Sequence, residues 1–219
     1  MIRFALAIAA SALLASTVHA QPVRYEKDEQ VQRAAVEAWT ACIADEFGED
    51  VREVLTLDYR TDRYAALLKD LAGRRVSSAC FYAMPRRYRR IELGGLPFAG
   101  GLAEQAMESA PGEPLLMRLS RAAIGAEAPT YSYTDKVANC AVRGAPHLAA
   151  NLFDSAIGSV EETDAMAQLA PVFDVCTRDG SAIDASPLAL RSMLATASYR
   201  ILAAQDSAEA QNRPTEAAE

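Results

Sequence analysis

Beyond residue 20 this 219-residue chain has no apolar run near the ~20 residues that a membrane-spanning helix needs. Gly and Pro, at 11 and 10 residues, are too few for a collagenous or wholly disordered chain. There is no basic surplus: 22 Lys and Arg stand against 29 Asp and Glu, which argues against wholesale binding of nucleic acid. Histidine is nearly missing, and of the two present His19 lies in the N-terminal leader. Any Ser-His or Cys-His mechanism would therefore depend on His147, which follows Pro146 at an expected helix start and reads as solvent-facing. The chain contains no G-x-S-x-G, S-x-x-K or H-E-x-x-H, and the glycines of "ELGGLPFAGG" (92–101) have the wrong spacing for a phosphate or dinucleotide loop. No C-x-x-C supports redox catalysis. Long cysteine spacings and a single remaining histidine leave no zinc site, so no metal or cofactor is expected.

What is present begins with "MIRFALAIAASALLASTVHA": Arg3, an apolar run from Phe4 to about Ala15, then Val18 and Ala20 at positions a signal peptidase favours. Residues 1–20 read as a secretory signal peptide cleaved before Gln21, and no Cys follows to carry a lipid anchor. Removing them takes away Arg3 and leaves 21 basic against 29 acidic residues, a formal charge of -8. The expected location is the periplasm or the medium outside the cell.

The mature part echoes itself. Displaced by 98 positions, Cys42 falls on Cys140, Val54 on Leu152, Leu55 on Phe153, Thr61 on Ser159 and Leu71 on Leu169. A two-residue deletion then brings Cys80 onto Cys176, and a further gap lays "LAEQAM" (102–107) over "LATASY" (194–199). Such spacing suggests an internal duplication of a helical unit. Val31, Ala35, Trp39 and Cys42 recur at helical steps, as do Leu148, Leu152 and Phe153. "SVEE" (159–162) offers a capping box, with Ser159 as cap and Glu162 returning a hydrogen bond. No strand pattern outlasts the brief alternation of "TYSYT" (130–134). The expectation is an all-α fold of two tandem related helical units, 21–108 and 132–204. A connecting segment at 109–131 carries a helix with Leu115, Leu116, Leu119 and Ala123 on one side, and a disordered tail spans 205–219.

If the cysteines hold equivalent places, Cys42 pairs with Cys80 and Cys140 with Cys176, each tying a unit's first helix to the segment after its third. Loops of that size imply about 4 kcal/mol of stabilisation per bridge by the chain-entropy argument. The four residues are read as structural.

Two charged features are candidates for function. "ADEFGED" (44–50) gathers four acids, which could serve a hydrolase by paired carboxylates, although acids near a helix start are stabilising without any catalysis. From Arg74 to Arg90 there are six arginines and no acid, concentrated in "PRRYRR" (85–90). Arg86, Arg87, Arg89 and Arg90 with Tyr88 form a candidate anion-binding surface, because guanidinium forks grip phosphate and carboxylate. The equivalent stretch of the second unit, "CTRDGSAIDASP" (176–187), is not basic. The leading expectation is an exported, non-catalytic scaffold or binding protein whose partner is a protein or an anionic envelope component. The alternative is an envelope hydrolase using acids. Trp39, or the Leu96 and Phe98 pair, would mark a homo-oligomer interface if left exposed.

Overall fold

A computed structural model describes residues 28–177 and 181–212, so the leader at 1–20 lies outside the described part. The protein is all-α. Helices α1 (Glu29–Glu46), α2 (Gly48–Thr56), α3 (Asp62–Gly73) and α4 (Ser78–Ala83) lead through a 3-10 turn at Tyr88–Arg90 into α5 (Gly95–Glu108). After α6 (Leu115–Ala123) come α7 (Tyr133–Gly144), α8 (Pro146–Asp154), α9 (Val160–Cys176) and α10 (Pro187–Asn212), with no strand among the described residues.

Local chemistry accounts for the helix starts. The Asp28 carboxylate accepts the Gln30 and Val31 N–H groups at 3.0 and 3.3 Å, and Thr61, Ser77, Ser132 and Ser159 cap α3, α4, α7 and α9 through their hydroxyls. Ser132 and Tyr133 thus open a helix where the sequence briefly alternates. Pro146 stands in the first turn of α8, where its missing N–H costs nothing.

The two halves are spaced like tandem units. Helices α2 and α8 start at 48 and 146 and end at 56 and 154; α3 and α9 start at 62 and 160. The offset is 98 throughout. Helices α5 and α10 start at 95 and 187, an offset of 92 after the shorter second-half loops. Disulfides join Cys42 to Cys80 and Cys140 to Cys176, with Cα atoms 6.0 and 5.9 Å apart.

The match is not complete. In the first half the third helix stops at Gly73 and a separate α4 carries Cys80, whereas α9 runs unbroken, through Pro171, to Cys176. The second bridge therefore ends on the third helix itself rather than on a segment after it. The apolar side of α6 is also narrower than expected: Leu119 and Ala122 are buried, while Leu116 faces solvent.

No seam separates the halves. One contiguous core takes Ile43, Val54 and Leu71 from the first, Leu152 and Leu169 from the second, and Phe98, Leu102, Leu194 and Ile201 from the central α5–α10 pair. These two helices meet at Gly100, where an added Cβ would lie 2.4 Å from the Ser192 side chain. At the offset of 92, Gly100 and Ser192 are each other's counterparts, so the crossing falls on the centre of the repeat. Fully burying each of these large side chains contributes about 1.5–3 kcal/mol, which couples the units strongly. The first part of the expected tail, 205–212, is helical. Helix α10 continues to Asn212, because alanine, glutamate and glutamine extend an existing helix cheaply. Gln205 fastens it by accepting the Ala126 N–H at 3.1 Å and donating to Glu209 at 2.8 Å. Residues 213–219 lie outside the described part.

Candidate functional site

The arginine segment rests on the Cys42–Cys80 end of the first unit. The Trp39 indole N–H donates to the Tyr88 carbonyl at 2.8 Å, and the Trp39 ring meets Phe81 edge to face. Arg89 turns inward, donating to the Met84 and Tyr82 carbonyls at 2.9–3.1 Å while its guanidinium lies over Phe81 and Tyr82. Arg74, at the start of the run, is held by Asp50 and Asp70. Two of the six arginines are thus used by the fold. Arg75, Arg86, Arg87 and Arg90 are exposed and form no ion pair among the described residues, and Arg87 lies over the Tyr88 ring. Of the four proposed anion-binding arginines, the structure leaves three free to act outward.

Two clefts flank the α5–α10 crossing. The first, about 610 Å³, is lined by Arg33, Glu37, Thr40, Gly101, Glu104 and Arg191 among others. Arg191 enters it from α10 and forks onto Glu104, with contacts of 2.7–3.0 Å, while its other terminal nitrogen donates to Glu162 at 2.9 Å and to the Ser155 carbonyl at 3.2 Å. Glu162 also binds Arg33 and accepts the Gly158 N–H at 2.8 Å. Gly158 supplies that N–H from φ 76, a left-handed conformation natural to glycine. Glu162 therefore does not close the expected box onto its own cap; it anchors a buried ion network linking α1, α9 and α10. Burial opposes its ionisation, but the Gly158 N–H and the two guanidiniums outweigh that and hold its pKa below the ordinary glutamate range. Burial pushes Glu104 up; Arg191 opposes this, and Glu37 and Glu162 add to it.

The second cleft, about 410 Å³, is lined by Tyr59, Tyr64, Leu68, Leu96, Met193 and Arg200 with parts of α7. Arg200 donates to Asp135 at 3.0 Å and to the Leu55 carbonyl at 3.2 Å, and it lies over the rings of both Tyr59 and Tyr131. The Tyr131 N–H occupies the other Asp135 oxygen at 2.9 Å. Burial raises the pKa of Tyr64, so its phenol keeps its proton at neutral pH.

Two of the four acids of 44–50 are engaged by the fold. Glu46 accepts the Ser77 N–H at 2.8–2.9 Å and Asp50 binds Arg74, so two of them tie α1 and α2 to the segment before α4. His147 is exposed. Trp39 is half-buried and Phe98 fully buried, whereas Leu96, at the second cleft, is exposed. Sequence reasoning passed over both buried networks. Their signal is a charged residue one turn from an apolar one on the same helix: Arg191 three residues before Leu194, and Arg200 three residues after Ala197. Among the described residues no group of His, Cys, Asp and Glu is placed to hold a metal. Comparison with protein-family models, curated proteins and solved structures finds no match.

Proposed function

We propose that this protein is an exported helical binding scaffold of the cell envelope, built by duplication of one disulfide-stapled unit, and that it engages an anionic component through Arg86, Arg87 and Arg90. The carrying observation is that these three guanidiniums are exposed and free of ion pairs on a segment fixed by Cys42–Cys80 and by the Trp39–Tyr88 hydrogen bond. A rigid support lowers the ordering cost of binding, and guanidiniums suit phosphate or carboxylate. Export agrees with the two disulfides and with the leader-like sequence of 1–20. A pull-down from envelope extract under non-reducing conditions tests the reading. The triple variant Arg86→Gln, Arg87→Gln, Arg90→Gln should lose most of the captured material, and the wild-type capture should weaken with salt. Equal capture by both proteins would remove the proposal.

A second reading, hydrolysis by paired carboxylates, has one observation in its favour: Glu104 has a raised pKa in a cleft that also holds Glu37. Against it, a general acid needs an O–H aimed at its leaving group, and both Glu104 oxygens face the Arg191 fork. Cleavage of an envelope glycan that disappears in Glu104→Gln and Glu37→Gln, with folding retained, would reverse the order of the two readings.

A further inference from the structure

We infer that the cleft between Tyr59, Tyr64, Leu96 and Arg200 is a binding site for a small apolar carboxylate. The cleft is separate from the arginine surface and offers a different environment, a mostly apolar one. At about 410 Å³ the cleft falls in the ~300–1,000 Å³ range of small-molecule sites. Its walls are Leu68, Leu96, Ala138 and Met193, which favour a hydrocarbon or aromatic body.

The polar end is defined by which hydrogen-bonding capacity remains unused. Both Asp135 oxygens are occupied, one by Arg200 Nη1 and one by the Tyr131 N–H. Arg200 Nε is taken by the Leu55 carbonyl. Among the described residues Arg200 Nη2 has no acceptor, and it is not one of the side-chain nitrogens sealed away without a partner, which are Arg33 Nε and Arg118 Nε. The Tyr59 and Tyr64 hydroxyls likewise have no protein partner among the described residues. What the cleft offers is therefore donors at one end, on a guanidinium held by Tyr59 and Tyr131, with apolar walls beyond. The guanidinium adds positive charge and donors to the two phenols, which favours an anionic group over a cation, and a bare inorganic anion would leave the walls unused. A carboxylate on an apolar body satisfies both, because a guanidinium edge and a phenol donate to it together.

Decanoate serves as a probe, with decanol as its uncharged counterpart, titrated calorimetrically into the disulfide-intact mature chain. Decanoate should bind once per chain and at least tenfold more tightly than decanol, and it should shift the Met193 methyl resonance while leaving that of buried Met107 in place. Leu96→Glu, at an exposed position on the mouth, should weaken decanoate at least tenfold by placing a like charge beside it. Arg200→Gln should do the same, and Leu96→Glu keeps the test valid should that buried arginine prove necessary for folding. The Arg86, Arg87, Arg90 triple variant should bind decanoate as the wild type does. The inference fails if decanoate does not bind, if decanol binds equally well, if Leu96→Glu has no effect, or if the triple variant abolishes binding.

Discussion

At the first cleft Arg191 binds Glu104 and Glu162, Arg33 binds Glu162, and Glu37 lines the wall; the repeat places Asp135 opposite Glu37, Thr196 opposite Glu104, Tyr64 opposite Glu162 and Tyr131 opposite Arg33. The correspondence is positional, with offsets of 98 for the outer helices and 92 for α5 against α10. Thr40 opposite Gly101 on one side becomes Ala138 near Met193 on the other, so bulk has moved from one wall to its neighbour. Each cleft is lined by one buried arginine from α10, Arg191 or Arg200, at positions that the repeat does not relate. The same helical frame thus encloses an ionic network in one place and an aromatic, mostly apolar chamber in the other. The chemistry of a cleft is decided by a few inward positions that the helix frame does not constrain.

The sharpest way to break this comparison is to remove the two arginines separately. Arg191→Met strands Glu104 and takes from Glu162 one of its two guanidiniums, leaving it Arg33 and the Gly158 N–H, and a loss of about 3–5 kcal/mol is expected for breaking a buried pair. Arg200→Met strands only Asp135, which still accepts the Tyr131 N–H, and should cost less. Urea unfolding of both variants checks the order; a larger loss for Arg200→Met would show that the aromatic side, not the ionic side, holds the halves together.

The disulfides should behave alike where the clefts differ. Their loops are nearly equal, at separations of 38 and 36 residues, so Cys42→Ser with Cys80→Ser and Cys140→Ser with Cys176→Ser should each cost about 2–4 kcal/mol. Thermal melts of the two double variants test this. A difference well beyond 1 kcal/mol would mean that the unbroken α9 holds its end without the bridge, as α3 and α4 cannot.

The smallest effect is on acid stability, and it distinguishes Glu162 from its counterpart Tyr64. Glu162 has its pKa depressed on folding, so its contribution is full above the unfolded glutamate value of about 4.5 and is lost as pH falls through the lower folded value. Glu104 works in the other direction: its raised pKa makes ionisation cost stability as pH rises past that same region. Glu162→Gln should flatten the acid limb of a stability-against-pH curve, whereas Tyr64→Phe should leave it unchanged. Parallel acid limbs for the wild type and Glu162→Gln would contradict the assignment.

Much of the fold was legible in one dimension. The caps at Thr61 and Ser159, the start of α8 at Pro146 and the disulfide pairing all follow from short-range spacing or its repeat. Glu162 was misread for the same reason: a local explanation, the capping box, accounted for the residue before its distant partners Arg33 and Arg191 were known. The arginine segment was readable as a charged run, but not that Arg89 would turn inward to backbone carbonyls. Nothing in the spacing reveals that Gly100 and Ser192 touch, so the single core that joins the halves is not readable from it.

From the order of amino acids come the helices, several of their starts, the disulfide pairing and the run of arginines, since each depends on residues within a few turns or on a repeated interval. The shared core, the two clefts and the partners of Arg191 and Arg200 come from packing alone. Helix α10 is buried on almost every side between residues 191 and 202, so its periodicity carries no direction. Which of its charged side chains meets which carboxylate is settled only when α1, α5, α7 and α9 close around it.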